Sequence, residues 1–191
     1  MTDMEFSQQA TGTSVTRLNV GCGPCVIPGW MHADRLEAEG IDFFGDIRAG
    51  LPVESDHFEY IVGMHMLQDV AYPDVLPVLC ELRRILKPDG ILRLGLPDLD
   101  KAIAAYLRHD HRYFYISDEE VSSLGSKLIT QLVWYGSVRT PFTYEFIEEW
   151  LRKAGFREVT RCAFKQTQSA YTDIVQLDNR ERESLFVEAQ K

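Results

Sequence analysis

Glycine, carboxylate and imidazole side chains in this sequence fall where a bound nucleoside would need them. In TRLNVGCGPCVIPGWMHAD (residues 16–34), Gly21 and Gly23 follow an extended-favouring stretch that includes Val15, Arg17, Leu18 and Val20, and a second short run ends on Asp34. Glycines directly after a strand let a ligand approach the backbone with no Cβ in the way. A carboxylate at the tip of the next parallel strand can accept both hydroxyls of a ribose. The plain alternative is an ordinary loop with its glycines at positive φ. Asp46 after IDFFG, His65 after EYIVGM and Asp98 after ILRLGL stand at further strand ends, where ligands of open α/β sheets gather.

The elements that must hold these residues are legible from periodicity. A helix is predicted over 74–86, capped by Asp74, with Val75, Leu79, Leu82 and Leu86 as its stripe and Lys87-Pro88-Asp89-Gly90 ending it. ILRLGL (91–96) has the composition of a buried central strand. Asp98 is placed to cap a following helix that buries Leu99, Ile103, Tyr106 and Leu107. A third helix is expected behind a capping box of Ser117 and Glu120, with Val121, Leu124, Leu128 and Leu132 as its stripe. A fourth opens at Thr143 and closes at Gly155, and strands follow over 156–163 and 184–189.

Only ten residues, Pro24 to Ala33, separate Gly23 from Asp34, and Pro28-Gly29 forbids more than a turn among them. The first crossover helix is therefore shortened or missing, which leaves that side more open than usual, or roofed by Trp30 and the N-terminal segment. The expected architecture is α/β: a Rossmann-like open, mostly parallel sheet of about seven strands with an antiparallel edge strand. Residues 1–14 are expected to be a flexible polar lead-in, and 15–191 a single domain with a helical insertion around 109–142.

Lys plus Arg number 20 against 29 Asp plus Glu, a net charge of −9, which argues against nucleic acid or an anionic membrane as partner. No stretch approaches the roughly 18 apolar residues that span a bilayer, and the N-terminus lacks the pattern of a secretory signal, so a cytoplasmic location is expected. The four cysteines form no framework. Cys22-Gly23-Pro24-Cys25 spells a thioredoxin-type redox motif, but Pro28-Gly29 prevents the helix that would activate its first thiol. No metal is expected, since no ligand cluster shows recognisable spacing.

Taken together, LNVGCG (18–23), GW followed by Asp34, GDI (45–47) before LP (51–52), EYIVGMHML (59–67), LRRILKPDGILRLGLPDL (82–99) and FIEEWLRKAGFREV (146–159) resemble a class I S-adenosylmethionine-dependent methyltransferase. The similarity is to the small methyltransferase-11-like subgroup. It implies S-adenosylmethionine as cofactor, with Gly21, Cys22 and Gly23 against its methionine part and Asp34 on the ribose. Asp46 and Ile47 would flank the adenine, with Asp46 near its exocyclic amine, and Met64 and His65 would line the sulfonium side. The acceptor implied is a small or carrier-linked (sugar, lipid-glycan or natural-product) hydroxyl or amine. Asp98, Tyr106, His111 and Tyr113 are the residues expected to meet it.

A sulfonium methyl is already activated, so the enzyme's task is mostly alignment, worth on the order of 7–11 kcal/mol. A general base adds about 10² to 10⁴ in rate for a hydroxyl acceptor. His65 is the candidate base; its bland alternative is packing against the cofactor. The subgroup's His-x-Leu-Glu-His pattern reads His65-Met66-Leu67-Gln68-Asp69 here. That departure keeps open a non-catalytic binding or regulatory module of the same fold.

Overall fold

The computed structural model describes residues 15–191 and, before them, the backbone of Ser7–Gln8. The flexible lead-in expected over 1–14 otherwise lies outside the described residues. Eight strands form one sheet: β1 (Ser7–Gln8), β2 (Arg17–Val20), β3 (Met31–Asp34), β4 (Phe43–Phe44), β5 (Phe58–Met64), β6 (Leu86–Pro97), β7 (Arg157–Cys162) and β8 (Ser184–Gln190). Their spatial order is β1-β4-β3-β2-β5-β6-β8-β7. Strands β4, β3, β2, β5 and β6 are parallel; β8 runs antiparallel between β6 and β7, and β1 is an antiparallel edge on β4. The order reverses between β2 and β5, so the glycine turn after β2 and His65 after β5 flank the switch point.

One face of the sheet carries two helices, α1 (Tyr72–Ile85) and α4 (Tyr144–Lys153). Val75, Val78, Leu79, Leu82 and Ile85 of α1 and Ile147 and Leu151 of α4 pack on Leu18, Val20, Ile61, Leu92, Leu94 and Val187. Each such buried aliphatic side chain contributes about 1.5–3 kcal/mol. Thr143 caps α4 as expected, accepting from Phe146 N. By contrast α1 begins at Tyr72 with no side-chain cap, and Asp74 sits in its first turn facing Arg48 at 3.2 Å.

The next two helices, α2 (Leu99–Leu107) and α3 (Leu124–Val133), depart further from the expected faces. Asp98 caps α2, but α2 buries Ala102 and Ala105 while Leu107 is 70% exposed. Small residues face α3 because the two helices share only a minor cluster with Tyr113 and Phe114. Helix α3 starts seven residues after Ser117, capped by Ser123, and Ser117 only accepts from Glu120 N in an earlier turn. Its most buried side chain is Lys127, held by the Ile116 carbonyl and by Asp118.

The other face of the sheet is covered mainly by irregular chain. The short β2–β3 link survives without a helix because buried polar groups satisfy it. Asn19 Nδ2 donates to Cys25 O (3.1 Å), and Ile27 N donates to His32 Nε2 (3.1 Å). Farther along, Arg93 projects from the middle of β6 with 0% exposure. Its Nε and one terminal nitrogen grip Asp178 at 2.7 and 2.5 Å, and the other meets Glu188 at 2.6 Å. That clamp seats the 163–183 segment on the sheet beside Ile174, Leu177 and Phe186.

Removing one partner of a buried ion pair strands the others without charge compensation. Arg93→Met is accordingly expected to lower stability by about 3–5 kcal/mol, measured as the shift in urea unfolding free energy.

Candidate active site

Two cavities lie beyond the C-terminal strand ends, and they share His65 and Asp69. The first, about 270 Å³, is bounded by Gly21 and Gly23, Asp34, Asp46 and Ile47, Leu51, His65, Met66 and Val70. The second, about 200 Å³, lies among Asp98, Tyr113, Gln68, Trp134, Arg180 and Glu183, with apolar walls from Leu99, Leu132 and Val138.

The glycine turn is left-handed at both positions, with φ of 64° at Gly21 and 53° at Gly23. The two are glycine for different reasons. A Cβ on Gly21 would stand 2.3 Å from Met66 Cβ, whereas one on Gly23 would meet nothing within 4 Å. Gly21 is thus fixed by packing and Gly23 leaves room at the cavity. Asp34 Oδ2 accepts from Gly23 N (2.8 Å) and Oδ1 from Leu36 N (2.9 Å), so the carboxylate is oriented and each oxygen keeps a lone pair for a ligand. Asp46 caps a short 3₁₀ turn containing Ile47. Its carboxyl is held below the usual range by hydrogen bonds from Arg48, so Arg48 shares it with anything bound there.

His65 itself has φ of 53°, left-handed for a bulky residue, and its N–H donates to Gly95 O (2.8 Å). Its ring state follows from Ser184. That hydroxyl has one proton and gives it to Arg180 O at 2.7 Å, so at 2.9 Å it accepts from His65 Nε2–H. Nδ1 is then a bare lone pair, buried and without a partner among the described residues. Burial, with help from Arg180, lowers the imidazole's pKa to about 4, which makes it a weak base. Asp69 is shifted the other way: burial raises its carboxyl, against opposing effects of Gln68, Arg35 and Arg180.

Of the sequence-predicted cofactor residues, Gly21, Gly23, Asp34, Asp46, Ile47 and His65 line the first cavity and three do not. Trp30 is not a roof; it is 6% exposed and packs edge-on against Tyr60 (5.1 Å) on the loop-covered face. Met64 points to that same face over Gly95, in step with Tyr60 and Val62, because side chains alternate along β5. Cys22 is buried, its Sγ toward Gly23 O, and burial pushes its thiol up to about 12, which disfavours the reactive thiolate.

Of the acceptor candidates, Asp98 and Tyr113 line the second cavity, while Tyr106 and His111 are exposed outside it. Asp98 is already committed, capping α2 with one oxygen and meeting Arg161 at 2.9 Å with the other. Arg180 and Glu183 were not legible as site residues, since they sit in a polar loop that only the Arg93 clamp brings to the strand ends. Trp134, which turns the chain at the end of α3 with φ of 41°, gave no more signal than any aromatic.

A family model described as a methyltransferase domain matches residues 31–94. No curated protein matches the chain by sequence. Among solved structures, a SAM-dependent methyltransferase from Thermotoga maritima is 22% identical with a TM-score of 0.55, over 92% of this chain and 81% of that one. A SAM-dependent methyltransferase from Archaeoglobus fulgidus is 13% identical with a TM-score of 0.52, over 92% and 85%. The chain has the class I S-adenosylmethionine-dependent methyltransferase fold. Phosphoethanolamine N-methyltransferase 2 of Haemonchus contortus, in complex with S-adenosyl-L-methionine, shares this fold at 14% identity and a TM-score of 0.53, over 92% of this chain and 48% of that one. The cofactor implied is S-adenosylmethionine. The first cavity of this methyltransferase fold fits it: open space at Gly23, an oriented carboxylate at Asp34 and an apolar wall at Ile47, Leu51 and Val70.

Gly23→Ala is expected to remain folded at a cost of about 1–2 kcal/mol for the left-handed backbone, and Gly21→Ala to cost more because it also collides with Met66; urea unfolding compares them. His65 gives a pH signature. Its folded pKa of about 4 lies below the ordinary 6.5, so the unfolded chain takes up the proton first. Its contribution to stability is complete above pH 6.5 and is lost as pH falls to 4, by about 3 kcal/mol. Unfolding free energies at pH 7 and 4 should therefore fall less in His65→Gln than in the unaltered protein.

Proposed function

We propose that the protein is an S-adenosylmethionine-dependent methyltransferase whose small or carrier-linked hydroxyl or amine acceptor occupies the second cavity. The observation that carries the reading is the junction: a cavity of about 270 Å³ bounded by the glycine turn and Asp34 and a second of about 200 Å³ share His65 and Asp69 in their walls. The bound cofactor supplies a methyl already activated on a sulfonium. The chain's own residues do the rest. Gly23 admits the ligand to the backbone, Gly21 holds the turn against Met66, Asp34 holds the ribose hydroxyls, and Ile47 and Leu51 cover the base. His65, held by Ser184 and Gly95, forms a fixed wall between the two sites. Its weak basicity suits positioning better than proton abstraction.

A non-catalytic module of the same fold would have no use for a second cavity opening on the first. The altered pair Gln68 and Asp69, which would otherwise favour that reading, lines this second cavity. Among the described residues no helix is long and apolar enough to cross a membrane, and a cytoplasmic enzyme acting on a small molecule is the reading adopted.

Calorimetric titration of S-adenosylmethionine and S-adenosylhomocysteine is the direct test. Micromolar binding is expected, weakened at least tenfold in Asp34→Ala, in line with loss of hydrogen bonds to a charged group. A folded protein that takes up neither ligand overturns the assignment.

A further inference from the structure

We infer that the acceptor is an organic amine that enters the second cavity as its ammonium ion and is held there by Glu183 and Asp69. The inference rests on the methyltransferase reading and narrows it to nitrogen acceptors with a compact aromatic or apolar body.

The argument begins with Glu183. It is 8% exposed and lines the cavity, yet among the described residues its carboxylate accepts no hydrogen bond. The nearest cation, Arg180, stands at 3.7 Å. Its oxygens are not shut off from the cavity, so the carboxylate is open to a donor that enters there. Asp69, half-buried and shared by both cavities, also has room for a donor: Gln68 Nε2 donates to its Oδ1 at 3.2 Å, and Oδ2 receives nothing from the described residues. Gln68, whose amide nitrogen also donates to His65 O, has its own Oε1 buried without a partner. Asp98, the third acid of the cavity, is fully engaged by its helix cap and Arg161. Beside Asp69, Asp98 and Glu183 the lining of this cavity carries one arginine, Arg180, so Glu183 and Asp69 are short of a close donor and the cavity is short of positive charge.

An ammonium group supplies both. Anionic acceptor groups such as a carboxylate or phosphate would add acceptors where donors are lacking, and a neutral hydroxyl brings one donor and no charge. Trp134 and Tyr113 offer aromatic surface suited to a cation's organic body. Nitrogen must lose a proton before it can accept a methyl group. Asp69 is the group at the junction that can take it: the ammonium N–H bond breaks, its electron pair stays on nitrogen, and the proton passes to the carboxylate. Burial raises the carboxyls of both Asp69 and Glu183, which favours that uptake, while Arg180 acts against it at each and Arg35 and Arg182 add to the opposition.

The test uses 2-phenylethylamine and its hydroxyl isostere 2-phenylethanol, titrated into the protein saturated with S-adenosylhomocysteine and into the free protein. The amine is expected to bind at least tenfold more tightly than the alcohol. Glu183→Gln should abolish that preference while leaving S-adenosylhomocysteine affinity unchanged, because Glu183 lines only the second cavity. Asp69→Asn should weaken amine binding in the same direction. Both replacements remove a buried charge, so unfolding midpoints at or above that of the unaltered protein should accompany the loss. Equal binding of alcohol and amine, no amine binding, or a preference retained in Glu183→Gln overturns the inference. Absence of cofactor binding overturns the proposed function instead, and the amine preference is still read on the free protein.

Discussion

Arg93 is the residue on which the second cavity depends, because a guanidinium shut away from water must be matched by charge and hydrogen bonds from somewhere. The match comes from Asp178 and Glu188, with Gln166 O and Ala163 O adding backbone acceptors. Glu188 is on the neighbouring strand, but Asp178 is in a loop, so satisfying the charge drags that loop onto the sheet. Arg180, Glu183 and Ser184 lie just beyond, and they arrive at the strand ends as a consequence. Ser184 then fixes the tautomer of His65, and Glu183 lines the second cavity. A face without flanking helices is in this way made to carry function.

The cofactor half depends on a different economy. A conventional crossover would place a helix after the glycine turn; here ten residues suffice because Asn19 and His32 reach out from β2 and β3 and bond the link's backbone directly. The link adds to the loop-covered face, where Trp30 and Tyr60 fill the volume a helix would have taken. Gly21, pressed against Met66, ties the turn after β2 to the turn after β5. Both turns of the switch point are thereby held at one separation.

Burial then sorts the titratable groups of the junction. The same removal from water disfavours charge on His65 and on Asp69, and because one is a base and the other an acid, it pushes their pKa values in opposite directions. The imidazole is held neutral, and the carboxyl takes up a proton more readily than an exposed one would.

By itself the sequence determined the order and kind of most elements, the glycine turn and the acids at strand tips, because these rest on local rules: φ freedom at glycine, period-two alternation, and a helix stripe such as Val75, Leu79 and Leu82. It also located the missing first helix, since Pro28-Gly29 cannot be helical anywhere. The faces of α2 and the start of α3 escaped it, because which apolar side chains are buried depends on what lies opposite, and α2 and α3 lie against each other rather than on the main core. Trp30 and Met64 were misplaced for the same reason: an aromatic or a methionine beside a site motif can point to either face of a sheet, and only pleat and packing choose. Arg93 within an apolar strand was the one local signal of long-range pairing. Its partners, 85 and 95 residues away, and the Glu183 and Ser184 they bring in, were decided by tertiary structure, since no spacing rule links groups joined only by the need to neutralise a buried charge.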